Sequence, residues 1–387
     1  MDRKLLWVWL TSLDGITGAK ISALLERFDT IEDIYAADEA ALMRTERITG
    51  KDIQVITAHD LSVAESVLKR IRQIGAWVLC YDDAAYPSAL RECSDIPYVL
   101  YGMGEILNWD RLLSITVVGT RDATEYGLKV TEQLAYDLAQ NGVTIIGGMA
   151  RGIDTVAHKA ALAAGGKTVA VLGCGIDVVY PKENRKLYAQ MIKSGAVITE
   201  FVPGTAANAR NFPRRIRIMA ALGAGTLVTE APVKSGALIT ASRALDMGKD
   251  VFAVPGDYNR HFSQGCNDLI QNSGAKLCKK VEDILEEYPY QLELLHGPDY
   301  KIRKGKRFLK PKPETVKQVV LSQKKLEPLD ETSREIVVLL AKKNMHIDEL
   351  CNVLGKDAGF VGALLTMLEL SGLVKSLGSN NFGILIE

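Results

Sequence analysis

The sequence predicts an α/β protein: a Rossmann-like, doubly wound, mostly parallel sheet in the middle of the chain, a helical module before it and a winged helix after it. Three observations predict this. Between residues 110 and 288 lie six short apolar runs, at 115–118, 143–146, 168–172, 196–199, 226–229 and 251–254. Each is β-rich and non-alternating, as buried parallel strands are, and each leads through a Gly-containing turn into a helical stretch. The first 105 residues are helical and mixed, with Gly turns between helical stretches, and the last 62 follow a pattern of three helices and a two-stranded wing. The full length of 387 residues suits two or three domains at roughly 100–200 residues each. The expected organisation is a helical domain over 1–105, a sheet domain over 106–290, a basic linker over 291–325 and a winged helix over 326–387.

In chain order, the N-terminal module carries Leu13-Asp14-Gly15-Ile16-Thr17-Gly18 between helical stretches, with a poorer copy at Arg47-Ile48-Thr49-Gly50. A helix, a Gly turn and a second helix resemble a helix-hairpin-helix (SAM-like) unit, which offers backbone amides to DNA phosphates. A purely structural helical hairpin fits equally well.

The sheet domain then places six loops at the carboxyl edge of its strands, where open α/β sheets bind ligands. They include Gly119-Thr120-Arg121, Gly147-Gly148-Met149-Ala150-Arg151, Gly173-Cys174-Gly175 running on to Tyr180-Pro181-Lys182, Asn211-Phe212-Pro213-Arg214-Arg215-Ile216-Arg217, Lys234-Ser235-Gly236 and Pro255-Gly256-Asp257. Glycine lets backbone N–H groups approach an oxyanion, and a following helix N-terminus adds positive potential. Side by side, such loops predict a phosphate-binding rim. In the fourth loop Asn211 suits a helix cap and Pro213 the first turn, which puts Arg214, Arg215 and Arg217 where the helix dipole opposes cations. A bound anion resolves that conflict; so would salt bridges to Glu200 or Glu230. Phe212 suits either stacking on a base or anchoring the core.

Residues 300–325 hold ten Lys and Arg with Glu314 as their only acid. That composition marks a solvated linker, serving solubility or supporting contact with nucleic acid. In the tail, Thr332-x-x-Glu335 reads as a capping box opening the first helix. A second helix runs from Asp348 to Leu354 and a third from Phe360 to Leu370, and a wing turns near Gly378-Ser379-Asn380-Asn381. The third helix offers no Arg, so it fits a protein-contact or weak DNA module better than a reader of the major groove.

Other chemistries find little support. The 47 Lys and Arg balance 47 Asp and Glu, so a polyanion must be held by a local basic patch. The six cysteines form no C-x-x-C pair and the five histidines no H-E-x-x-H, which predicts buried thiols in a reducing cytoplasm and no metal or other cofactor. Gly166-Lys167-Thr168 lacks the first Gly of a P-loop and precedes a strand, and Gly173-x-Gly175-x-x-Val178 lacks the third Gly of the dinucleotide fingerprint. No run reaches ~18 uncharged apolar residues, so no membrane span is expected.

The motifs of the sheet domain resemble those of the DNA-processing protein A (DprA, also called Smf) family. They are Val118-Gly119-Thr120-Arg121, Ala150-Arg151-Gly152-Ile153-Asp154, Gly173-x-Gly175-Ile176-Asp177-x-x-Tyr180-Pro181-x-x-Asn184, Asn211-Phe212-Pro213-Arg214-Arg215, Ser235-Gly236-x-Leu238-Ile239-Thr240-Ala241, Val254-Pro255-Gly256 and Gly265-Cys266-Asn267-x-Leu269-Ile270. The resemblance spans about 110–280, and the three-part layout is similar too. It implies a cytoplasmic bacterial protein, not an enzyme, that binds single-stranded DNA, protects incoming strands in natural transformation and helps load the RecA recombinase. It also implies a homodimer formed through the Rossmann-like domain, and Gly119, Thr120, Arg121, Asn211, Phe212, Arg214 and Arg215 as DNA contacts. The neighbouring loops add Gly148, Arg151, Lys182, Arg217, Ser235 and Gly236 as candidates. The family pattern has Asn where this chain has Ile216. The alternative is a nucleotide-processing enzyme of the phosphoribohydrolase type, whose Gly-Gly-x-Gly-Thr-x-x-Glu motif is approached by residues 223–230 with Glu230 one position late.

Overall fold

A computed structural model describes residues 2–303, 329–342, 344–376 and 380–384. The chain forms two compact units, 1–308 and 309–387.

The first unit opens with six helices: α1 (Arg3–Ser12), α2 (Gly18–Arg27), α3 (Ile31–Ala36), α4 (Glu39–Met43), α5 (Gly50–Thr57) and α6 (Ser62–Ile74). Asp2 caps α1, which buries five consecutive residues from Leu6 to Leu10, so it is the central helix of the module. Capping boxes at Thr30/Asp33 and Thr49/Asp52 start α3 and α5.

The sheet follows. Its elements are β1 (Trp77–Cys80), α7 (Ser88–Arg91), β2 (Val99–Gly104), β3 (Ser114–Val118), α8 (Glu125–Gln140), β4 (Thr144–Gly147), α9 (Ile153–Ala163), β5 (Thr168–Val171), α10 (Arg185–Ser194), β6 (Gly195–Thr199), α11 (Asn211–Leu222), β7 (Gly225–Val228), α12 (Gly236–Asp246), β8 (Asp250–Ala253), α13 (His261–Gln271), β9 (Lys276–Leu277), α14 (Glu282–Leu285) and α15 (Pro289–His296). The strand order is β1-β2-β6-β5-β4-β3-β7-β8-β9, parallel from β6 to β9 and antiparallel at β1–β2 and β2–β6. The six apolar runs are β3 to β8, and β3 to β7 are buried throughout, as two-sided helical cover requires.

Two boundaries differ from the sequence reading. Residues 1–105 contain two strands that extend the sheet, so its edge reaches back to Trp77. Trp77 lies over Gly102, where a Cβ would meet the indole at 2.2 Å, and this close approach fixes the β1–β2 pair. The linker expected from 291 begins inside α15, whose Leu292 is buried in the core beside Leu285 and Tyr288. The basic residues from Lys304 onward lie outside the described residues.

The chain winds from β3 out to β6, then returns to lay β7 on the other side of β3, in register Ile115↔Gly225. The carboxyl ends of β3 and β7 therefore flank a topological switch point, where open sheets leave a crevice for ligands.

The second unit is a winged helix: α16 (Glu331–Lys342), β10 (Met345–His346), α17 (Ile347–Leu354), α18 (Ala358–Leu370), β11 (Val374–Ser376) and β12 (Asn381–Ile384), with strand order β10-β12-β11. Its core joins Ile336, Leu340, Leu350, Val361 and Leu365. The expected capping box at Thr332 is not what starts α16. Asp330 accepts from the Ser333 N–H at 3.0 Å and its hydroxyl at 2.6 Å, so the cap sits two residues earlier. His346 caps α17, which starts at Ile347, one residue before the expected Asp348. Part of the expected wing turn, at Gly378-Ser379, lies outside the described residues.

Candidate nucleic-acid interface

A pocket of about 820 Å³ opens at the switch point, lined among others by Gly119, Arg121, Tyr180, Phe212, Lys234 and Phe262. Three buried arrangements shape it.

The first holds the loop after β3. The Thr120 N–H donates to the Glu230 carbonyl at 2.7 Å. The Glu230 carboxylate accepts from the Thr124 N–H at 2.8 Å and the Thr124 hydroxyl at 2.6 Å. Thr124 in turn caps α8. A Cβ on Gly119 would lie 2.4 Å from Ile153 and 2.8 Å from the Glu230 carbonyl, so only glycine allows this approach. Arg121 is left exposed at the mouth, with no ion pair among the described residues, its guanidinium 5.6 Å from the Phe212 ring centroid.

The second holds the turn after β4. Met149 has φ 55°, a left-handed conformation in a fully buried non-glycine residue. The N–H and carbonyl groups of Gly148 and Met149 are all taken up. His158 Nε2 accepts from the Met149 N–H, and Asn184 Nδ2 donates to the Met149 carbonyl at 3.0 Å. Asp154 accepts from the Gly148 N–H at 2.9 Å, and Arg215 donates to the Gly148 carbonyl at 2.5 Å. Thr168 donates to the Ile145 carbonyl, so its oxygen accepts from His158 Nδ1–H, which fixes a neutral imidazole. Burial, aided by the Arg215 charge, pushes the His158 pKa down to about 3.

The third is α11 and its arginines, where the structure corrects the sequence reading. Asn211 is not the cap: the helix starts at Asn211 after Arg210, and Asn208 accepts from the Arg210 N–H at 3.0 Å. Arg214, Arg215 and Arg217 thus begin at the fourth helical position, where the dipole is weaker. Arg217 is buried and pairs with Glu200 at 2.5 Å and Asp95 at 3.0 Å, so it is an internal ion-pair residue and not a phosphate contact. Burial lowers its pKa, but these carboxylates more than reverse that and hold it above the ordinary value. Arg214 also reaches Glu200, at 3.2 Å, with its side chain still 56% exposed. Arg215 is buried, donating to the Gly148 and Val171 carbonyls. Burial lowers its pKa, and the nearby Asp154 charge opposes that. Its guanidinium lies 5.1 Å from the Phe212 centroid. Of the two carboxylates the sequence offered, Glu200 takes arginines and Glu230 takes Thr124.

Phe212 is thus half-buried, with Arg121 and Arg215 over its ring and Tyr180 at 5.5 Å. Gly148 sits against Arg215: a Cβ there would meet Nη2 at 2.3 Å. Ser235 caps α12 and leaves Gly236 exposed on the pocket wall. Lys182 is exposed, and Arg151 pairs with Glu183 at 2.5 Å. The amides expected to be bare are mostly spent: the N–H groups of Thr120, Gly148 and Ala150 all have internal acceptors. A phosphate at this rim would therefore meet side chains and not these amides. Tyr180, Asp154, His158, Asn184 and Glu230 were not singled out as site residues. Tyr180, Asp154 and Asn184 stand in the motifs quoted above and Glu230 closes the 223–230 segment, whereas His158 stands in neither, and nothing in the sequence separates a buried supporting polar group from a surface one.

The N-terminal hairpin turns inward at Gly18, where a Cβ would meet the Asp95 carboxylate at 2.5 Å. It lines a smaller pocket of about 360 Å³ with Glu200, Arg214 and Arg217, which favours the structural reading of that hairpin. All six cysteines are free and five are buried. Among the described residues no His, Cys, Asp and Glu cluster could hold a metal ion, and no helix is long and apolar enough to cross a membrane.

Residues 77–289 match the family model of DNA recombination-mediator protein A, and residues 322–380 that of the DprA winged helix domain. The chain is 32% identical over 380 residues to protein Smf of Synechocystis, covering 95% of each chain. It is 42% identical over 208 residues to DNA processing protein DprA of Streptococcus pneumoniae, covering 54% of this chain and 73% of that one. The X-ray structure of the S. pneumoniae protein aligns with a TM-score of 0.59 and 33% identity, over 74% of this chain and 99% of that one. DNA processing protein A from Helicobacter pylori, described for its single-stranded DNA binding mode, aligns with a TM-score of 0.50 and 28% identity, over 55% of this chain and 94% of that one.

Proposed function

The chain belongs to the DNA processing protein A (DprA/Smf) family, and on that premise we propose that it is a single-stranded DNA-binding protein of natural transformation, which protects incoming strands and helps load the RecA recombinase onto them. One observation carries the reading: an exposed Arg121 with no ion pair among the described residues, over the ring of Phe212 at the mouth of an open pocket on the switch-point edge. Arg121, Lys182 and Lys234 neutralise phosphates and release counterions, and a base stacks beside Phe212 and Tyr180 with little sequence readout. Binding is all the site does; no covalent step is assigned to it. The protein works in the cytoplasm as a homodimer, which joins two strand-binding edges and raises effective affinity. The partly exposed Leu245 and Leu277, near the free β9 end of the sheet, support a contact there. The winged helix serves as a protein-contact module, because the outer face of α18 presents Phe360, Met367 and Leu370 and carries no Arg or Lys.

The enzymatic alternative rests on the carboxylate of its approximate motif, Glu230, facing the pocket. Glu230 is 3% exposed and occupied by Thr124, which favours the binding reading. The test is fluorescence anisotropy with a 20-nucleotide oligo-dT over a salt series. Arg121→Ala weakens binding and makes the slope of log K against log salt shallower by ~0.7, the loss of one single-strand phosphate contact. Unchanged affinity and slope in the folded variant overturn the assignment.

A further inference from the structure

The crevice is much longer than its Phe212 end. Arg215, beneath Phe212, reaches the Val171 carbonyl at the end of β5, whereas His261 and Phe262 open α13, which follows β8. Both ends line the same pocket. From β5 through β4, β3 and β7 to β8 there are four strand spacings, about 19 Å at ~4.8 Å each. A stacked strand advances ~3.4 Å per nucleotide, so this length suits several nucleotides.

The two ends also share their chemistry. Tyr180 and Phe212 stand 5.5 Å apart at one, and His261 and Phe262 stand 5.3 Å apart at the other. Between them lie Arg121 and Lys234, each exposed and without a carboxylate partner among the described residues, and Gly236 leaves the wall bare of side chain. Asp257, on the loop before α13, is neutralised by Arg260 at 2.7 Å. Asp122 is an exposed carboxylate of the lining, and Asp154 lies buried behind Arg215.

We propose that Phe262, with His261, forms a second base-stacking platform, and that an unpaired DNA strand crosses the whole crevice from Phe212 to Phe262. The proposal rests on the strand-binding reading above and adds the path of the strand. It makes Phe262 a length-dependent contact: a short oligonucleotide fills the Phe212 and Arg121 end alone, and a longer one reaches both platforms.

Anisotropy on the full chain with oligo-dT of 3 and 20 nucleotides separates the two ideas. Phe262→Leu keeps an apolar side chain at a half-buried position. It lowers affinity for the 20-mer by about tenfold, in the range of a lost base–aromatic stack, and leaves the 3-mer unchanged. Phe212→Leu weakens both. Wild-type affinity of Phe262→Leu for the 20-mer overturns the second platform; if Phe212→Leu still loses binding, the first site stands. Equal loss on both lengths also overturns it, since that marks one shared site. Loss of neither length in either variant overturns the strand-binding reading itself. Photocrosslinking of the unaltered protein to a 20-mer carrying 5-iodouracil needs no variant. Adducts on the peptides of both Phe212 and Phe262 support the path, and adducts on the Phe212 peptide alone refute it.

Discussion

Arg121 and Arg217 carry the same charge, and their surroundings give them opposite work. Arg217 is sealed between Glu200 and Asp95, so Arg217→Ala leaves the buried Glu200 with only the half-exposed Arg214 as a cation and should cost up to about 3–5 kcal/mol in urea unfolding. Arg121→Ala removes a solvated guanidinium and should leave the urea midpoint unchanged while DNA affinity falls. His158 makes a further residue-level prediction. Its native pKa of about 3 lies below the ordinary 6.5, so the unfolded chain takes up a proton that the native state refuses. The stability this residue contributes is complete above pH 6.5 and falls as pH drops through that window, by ~1.4 kcal/mol per pH unit. Unfolding at pH 6, 5 and 4 should show that slope, and His158→Asn should show it reduced by one proton while being less stable at pH 7.

At the scale of elements, the loops do their work by being held rather than by being flexible. Glu230 touches no pocket surface, yet it fixes the loop after β3 through Thr124. Glu230→Ala should lose about 1.5–3 kcal/mol of stability, the worth of charge-assisted hydrogen bonds, and should weaken oligonucleotide binding without changing its salt slope, because Arg121 is displaced and not removed. Paired urea and anisotropy measurements check this. The same logic separates α11 from the helix its sequence suggests. Three arginines near an N-terminus look like an anion site, but one helical repeat turns Arg215 and Arg217 into the interior and leaves Arg214 outermost of the three. α18 shows the converse: an apolar helix whose outer face is uncovered within its own unit.

At the scale of the molecule, every pocket-lining residue belongs to the first unit, which has its own continuous sheet and cores. A chain ending at residue 303 should therefore fold and keep its affinity for the 20-mer within about tenfold, because the crevice cations stay in place. Loss of saturable binding by that chain, measured by anisotropy, would assign the main contact to the winged helix or the basic segment. The winding order places the crevice as well: the chain's winding reverses between the parallel strands β3 and β7, and the loops there have room that those between adjacent units lack.

The sequence by itself determined the six central strands, the edge on which their loops gather, the winged-helix tail and the free thiols. Each depends on local pattern, where apolar period and glycine position suffice. β1, β2 and the two-residue β9 escaped it, because an edge strand is made by its partner and not by its own composition. Only the tertiary structure decided which arginines face solvent, since that depends on where Glu200, Asp95 and Asp154 fall, far along the chain. A buried charge needs a partner and an exposed one does not, and sequence order does not say which will be which.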